Sequence, residues 1–164
     1  MRGIALFVAG VVVGGLAVQA AAAQNNPLSP NKGIVGMNHV GIIVPDIDRT
    51  VAYYTKTLGF PEAFRQNDAS GKLQLVYVQI SKNTFVELQP ANGRPTGISH
   101  FGVVVENQKD ANAMFKARGA KVTDITVSGT KAILSNETDP DGNRMELVEI
   151  TPDSLHKKAM DRWK

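Results

Sequence analysis

The strongest constraint on this chain is that one stretch is written twice. Met37-Asn38-His39-Val40-Gly41-Ile42-Ile43-Val44-Pro45-Asp46 is echoed by Ile98-Ser99-His100-Phe101-Gly102-Val103-Val104-Val105-Glu106-Asn107. Each copy is a short apolar run with a His near its start, a Gly two residues later and a polar break at its end. The histidines stand 61 positions apart, about one small supersecondary unit with its loops. A repeat fixes the architecture before any single element is considered. The chain therefore holds two half-modules, each opening with a strand that carries one imidazole.

The rest of the chain falls into step with that division. Residues 36–44 predict a strand, rich in β-branched side chains and stopped by Pro45-Asp46. Asp46 or Asp48 can cap a following helix, whose Val51, Tyr54 and Leu58 recur at helical spacing and which Gly59 ends. Residues 62–66, 73–80 and 84–89 are three further strands, and the turn formers of 90–97 link the halves. The second half predicts a strand over 98–105 and a helix over 109–118 that Gly119 stops. Strands over 121–126, 131–135 and 144–150 complete it, the last behind the turn Asp139-Pro140-Asp141-Gly142. The tail, 153–164, is a polar helix with a thin stripe of Leu155, Ala159 and Trp163, expected to pack as an outer lid with His156 on the surface. The order is βαβββ twice. Too few helices to cover a doubly wound sheet, and mostly hairpin connections, give an α+β class with curved mixed sheets.

Composition narrows the function classes. The 164 residues carry a formal charge of +3 with Lys and Arg scattered, so no basic stripe with interleaved aromatics marks a nucleic-acid face. With no Cys there is no disulfide framework, thiolate ligand, cysteine nucleophile or lipoprotein anchor. Met1-Arg2-Gly3, the uncharged apolar run 4–18 and the small residues Ala20-Ala21-Ala22-Ala23 have the form of a cleavable export signal. The expected organisation is a signal over 1–23, a flexible lead over 24–35, a domain over 36–150 with halves 36–90 and 97–150, and a tail over 151–164. The expected location is the periplasm or the exterior, without a stable membrane anchor once the signal is removed; an uncleaved anchor helix is the alternative.

Four side chains at matched places carry the chemistry. His39 and His100 lie on the first strand of each half, and Glu87 and Glu146 on the last. The glutamates stand 59 positions apart, nearly the spacing of the histidines. A carboxylate inside an otherwise apolar strand is costly without a partner. Two of them with two strand histidines make a site for one borderline divalent ion, such as Zn, Ni, Co, Mn or Fe(II). Glu149 lies on the opposite face of the last strand from Glu146 and is expected to face solvent.

These residues are similar to those of the vicinal oxygen chelate superfamily, the glyoxalase, bleomycin-resistance and extradiol dioxygenase group. The resemblance rests on residues 39–46, Tyr53-Tyr54, Leu58-Gly59-Phe60, Val86-Glu87-Leu88, residues 100–103 and residues 139–147, and spans about 36–150. It implies paired βαβββ modules forming a cup around a divalent metal that chelates two neighbouring substrate oxygens. The His39, Glu87, His100, Glu146 set resembles the metal shell of lactoylglutathione lyases, in which a glutamate takes the proton alpha to a carbonyl through an enediolate. Glu146 and Glu87 are the candidates for that base.

The resemblance also has departures. Those enzymes keep an Arg four residues after the first His and an Asn four after the first Glu, both used to hold glutathione. Here these places are Ile43 and Ala91. The catalytic Glu that methylmalonyl-CoA epimerases carry on the third strand is matched by Gln74. The expected function is glyoxalase-like lyase or isomerase action by proton abstraction on a small oxygen-chelating carbonyl compound. An Fe(II) extradiol-type dioxygenase using His39, His100 and Glu146 is the enzyme alternative, and a ligand-sequestering module of the bleomycin-resistance kind the non-enzyme one. Tyr77, Phe85 and Phe101 are candidates for the substrate-facing wall. The sequence leaves open whether the cup closes within one chain or across a homodimer.

Overall fold

The computed structural model describes residues 32–164, so the expected signal and most of the lead lie outside the described residues. Eight strands and three helices follow in the repeated order. The first half is β1 (Ile34–Val44), α1 (Ile47–Ala52), β2 (Glu62–Asn67), β3 (Leu73–Ser81) and β4 (Thr84–Pro90). The second is β5 (Gly97–Val105), α2 (Gln108–Ala117), β6 (Thr126–Val127), β7 (Ile133–Thr138) and β8 (Arg144–Glu149), and α3 (Leu155–Arg162) closes the chain.

All eight strands join one mixed sheet in the order β2-β3-β4-β1-β5-β8-β7-β6. The order on one side of the β1–β5 junction mirrors that on the other, a pseudo-twofold arrangement of two copies. β1 runs parallel to β4, β5 parallel to β8, and β1 meets β5 antiparallel. The halves are therefore joined within one chain, through the two strands that open them.

Alternation sorts the side chains onto two faces. Ile42 and Val44 of β1, Val76 and Val78 of β3 and Leu88 of β4 pack with Val51 and Tyr54 of the first helical segment. Val103 and Val105 of β5 and Leu147 of β8 pack with Ala111 and Phe115 of α2. The other face bears His39, Tyr77, Phe85, Glu87, His100 and Glu146, and α3 packs there through Ala159 and Met160.

Three elements differ from expectation. The helix capped by Asp46, whose carboxylate accepts from the Arg49 amide at 2.9 Å, widens after Ala52 into a π-helical turn over Tyr53–Thr57. Thr55 Oγ1 donates back to the Val51 carbonyl at 2.8 Å, a bond known to bend helices. The widening carries Leu58 off the buried stripe and leaves it exposed. The strand expected over 121–126 shrinks to a bridge between Val122 and Glu137 and the two residues of β6; Thr123, Asp124, Ile125, Thr126 and Val127 are all exposed and bury little against the sheet. On α3 the inward stripe is His156, Ala159 and Met160 rather than one led by Leu155.

Candidate metal centre

The four central strands β4, β1, β5 and β8 each supply one titratable side chain: Glu87, His39, His100 and Glu146. Strand register shows how they converge. Glu87 and His100 both pair with Gly41, from opposite sides, and His39 and Glu146 both pair with Gly102. The glycines clear space for rings. A Cβ at Gly41 would stand 2.0 Å from Cε1 of His100, and one at Gly102 would stand 2.0 Å from Cε1 of His39. The His of each copy passes over the Gly of the other, which is why the motif has to occur twice.

One ligand atom from each of the four residues lies within 4.8 Å of all the others. Nε2 of His39 is 3.1 Å from Nε2 of His100, and 3.5 Å from both Glu87 Oε2 and Glu146 Oε2. His100 Nε2 is 3.3 Å from Glu87 Oε2. The edge of a tetrahedron with metal–ligand bonds of ~2.1 Å is ~3.4 Å, so these separations suit a first-row divalent ion. Two imidazoles and two carboxylates form a borderline donor set that fits Zn, Ni, Co, Mn or Fe(II).

The surroundings hold this set in order. Asn38 Oδ1 accepts from Nδ1 of His39 at 2.8 Å, which turns Nε2 toward the cluster. Both are almost fully buried. Glu87 is clamped at both oxygens: Tyr77 donates its hydroxyl to Oε2 at 2.7 Å, and Gln89 Nε2 donates to Oε1. Burial is the largest single influence on this carboxyl and opposes its ionisation. The hydrogen bond from His100, the His39 and His100 charges and the Tyr77 hydroxyl outweigh it and hold Glu87 at about 2. Burial first, and then the charges of Glu87 and Glu146, push the Tyr77 hydroxyl well above its ordinary range, so it stays a donor. Glu146 is held differently. Besides His39, its nearest charged neighbour is Arg144, at 3.6 Å, and 12% of its side chain is exposed.

A cavity of about 160 Å³ opens onto the cluster, lined by Tyr77, Glu87, Gln89, Arg144, Glu146 and His156 among others. Of the three expected wall residues, only Tyr77 is on it. Phe85 is 1% exposed and packs in the core between Tyr77 and His156. Phe101 borders a neighbouring cleft, together with Ile98, Asn143, His100 and Arg144. The surface position expected for His156 is overturned. It is 2% exposed, set edge-on to Phe64, Tyr77 and Phe85 and stacked on His39 at a ring distance of 6.4 Å. Burial, then the charge of His39, lowers its pKa to about 4, with Glu87 opposing. Glu149 does not face open solvent either: its Oε2 accepts the amide of Gln108, the first residue of α2, at 2.6 Å.

Several site residues escaped the sequence argument although a signal existed. Asn38 and Ser99 each precede a histidine in the repeat, and both touch Nδ1 of that histidine. Gln89 and Arg144 lie two residues from Glu87 and Glu146, on the same face of their strands.

A family model described as Glyoxalase/Bleomycin resistance protein/Dioxygenase superfamily matches residues 36–147. The chain is 31% identical over 126 residues to a probable chloroplastic lactoylglutathione lyase of Arabidopsis thaliana, covering 71% of this chain and 36% of that protein. It is 27% identical over 121 residues to a lactoylglutathione lyase of Escherichia coli O157:H7, covering 68% of this chain and 90% of that protein. The chain thus spans about a third of the first relative's length and nine-tenths of the second's. A methylmalonyl-CoA epimerase of Mycobacterium tuberculosis shares the fold with a TM-score of 0.66 at 19% identity, over 77% of this chain and 95% of that one. A Streptomyces coelicolor methylmalonyl-CoA epimerase gives 0.64 at 17% identity, over 74% and 98%.

Proposed function

The chain belongs to the glyoxalase/bleomycin resistance protein/dioxygenase superfamily, and on that footing we propose that it is a metal-dependent lyase or isomerase acting by proton abstraction on a small carbonyl compound. His39, Glu87, His100 and Glu146 are its metal ligands. They would hold a divalent ion, which would supply Lewis-acid stabilisation of the negative charge that develops on the substrate's oxygens.

The observation that supports this reading best is the unequal treatment of the two glutamates. Glu87 accepts from Tyr77 and Gln89 and stays ionised, so it remains a fixed ligand. Glu146 has no such clamp and opens onto the cavity, so it can swing from its row toward a bound carbon. A carboxylate so placed takes the proton alpha to the carbonyl and returns it to the neighbouring carbon, which leaves the enzyme unchanged and needs no oxidant. Tyr77 and His156 close the cavity behind it and limit water there.

The cavity at the cluster favours a substrate smaller than a glutathione conjugate. A cavity of about 160 Å³ is well below the ~300 Å³ at the low end of pockets for drug-sized ligands. Ile43 and Ala91 offer no charge or amide for a peptide tail. We read residues 1–23 as an export signal, which would place the activity outside the cytoplasm; secretion of a fused reporter by this segment tests that assignment.

The test of the function is one preparation and two readouts. Titration with Co(II) or Ni(II) should saturate at one ion per chain, and the loaded protein should catalyse solvent deuterium exchange at the carbon alpha to the carbonyl of small 2-oxo and 2-hydroxy carbonyl compounds. Glu146→Gln should abolish exchange while keeping weakened metal binding. Oxygen uptake with an Fe(II)-loaded chain on catechols would replace the proposal with the dioxygenase, and metal binding without any turnover would leave the sequestering module.

A further inference from the structure

Arg144 is the only Lys or Arg among the residues that line the cavity. It opens β8 two residues before Glu146, on the same face, and about a third of its side chain is exposed. Nη1 donates to Asn136 Oδ1 at 2.7 Å and stands 3.6 Å from Glu146 Oε1. Nη2 lies 2.7 Å from Nδ1 of His100.

That last contact is contested. A guanidinium only donates, so the Arg144 contact requires Nδ1 of His100 to accept. The Ser99 hydroxyl, 2.9 Å from the same nitrogen, already donates its proton to the Gly41 carbonyl at 3.1 Å, so it requires Nδ1 to donate. Nδ1 satisfies one partner or the other. If Nε2 of His100 is the metal ligand, the ring proton sits on Nδ1, and Ser99 is its partner. Nη2 of Arg144 is then free to take another acceptor at the cavity wall beside Glu146. An anionic oxygen is its natural complement, because a charge-assisted bond is stronger than the one water would make.

We infer that Arg144 is a specificity-determining residue that binds a carboxylate of the substrate lying outside the pair of oxygens held by the metal. This rests on the metal-site reading above and adds the substrate's charge. The substrate class is a small carboxylate-bearing compound with two neighbouring oxygens.

The test uses the full chain loaded with Co(II), whose visible spectrum reports the ligand shell independently of activity. Malate is compared with 2-hydroxybutyrate: both offer a hydroxyl and a carboxylate for chelation, and only malate has a second carboxylate. The native chain should bind malate at least about tenfold more tightly, the worth of one charge-assisted hydrogen bond. Arg144→Gln should bring the ratio close to one with the Co(II) spectrum kept, and Arg144→Lys should retain part of it. A native chain without preference, or an Arg144→Gln chain that keeps the ratio, overturns the assignment of Arg144 alone. A native chain that takes up no Co(II) overturns the metal site itself.

Discussion

The imidazole of His100 occupies the space where Gly41 lacks a side chain, with a Cβ there falling 2.0 Å from Cε1. Gly102 gives His39 the same clearance from the other half. Gly41→Ala or Gly102→Ala should therefore displace one ligand ring while leaving a neutral methyl in a sheet that otherwise tolerates it. We expect metal affinity to fall by about a hundredfold or more, the cost of misplacing a ligand and its support. Calorimetric metal titration checks this, with circular dichroism to show that the sheet persists. Affinity within threefold of native would mean that the rings do not need these glycines.

Tyr77→Phe removes the hydroxyl that Glu87 Oε2 accepts at 2.7 Å and changes little else in the aromatic packing with Phe64 and Phe85. Loss of one outer partner typically lowers metal affinity about 10- to 100-fold. The same titration on the variant measures it. Exchange activity at saturating metal should survive, since the hydroxyl supports a ligand rather than the base.

His156 should make the protein acid-sensitive when no metal is present. Both ring nitrogens are buried without a partner, and its pKa is lowered from 6.5 to about 4, by burial first. Between those values the unfolded chain takes up a proton that the folded one refuses. The stability contribution is thus fully present above 6.5 and is lost as pH falls toward 4, by roughly 3 kcal/mol. Denaturant melts in chelator across pH 7 to 4 should show that slope. His156→Leu, close in volume and without polar atoms, should flatten it and raise stability at pH 7 by about 1 kcal/mol. An unchanged slope in the variant would move the acid sensitivity to another group.

Glu149→Ala removes the carboxylate that accepts the Gln108 amide at the start of α2. Asn107 still caps the same turn through the Asp110 amide, at 3.0 Å, so the helix persists. The loss should be about 1 kcal/mol, as for other N-terminal caps, or a drop of roughly 3 °C in Tm. Metal affinity should be unchanged, because Glu149 points away from Glu146. Differential scanning calorimetry and metal titration together separate it from the site residues.

Much of the fold was legible because it was stated twice. The repeat alone predicts two βαβββ units, and alternation along 36–44 and 98–105 puts each His on a face opposite to the packed valines. The pairing of Glu87 with Glu146, rather than Glu149, follows from near-equal spacing. What stayed hidden depends on contacts remote in sequence. The stripe of α3 fits helical spacing whether it begins at Leu155 or His156, and only the aromatic box of Phe64, Tyr77 and Phe85 selects His156. Phe85 and Tyr77 are alike in sequence and both are buried, yet only Tyr77 reaches the cavity.

The sequence by itself determined the two halves, the strands that open them and the four side chains at matched positions, since periodicity and repetition are properties of the chain alone. Tertiary structure decided which partners those side chains meet. Register set each His over the opposite glycine, Tyr77 and Gln89 clamped one glutamate and left the other open, and Arg144 came to rest against His100. Hydrogen bonds between residues 10 to 60 positions apart are fixed by how strands pair, and strand pairing is settled only when both halves fold together.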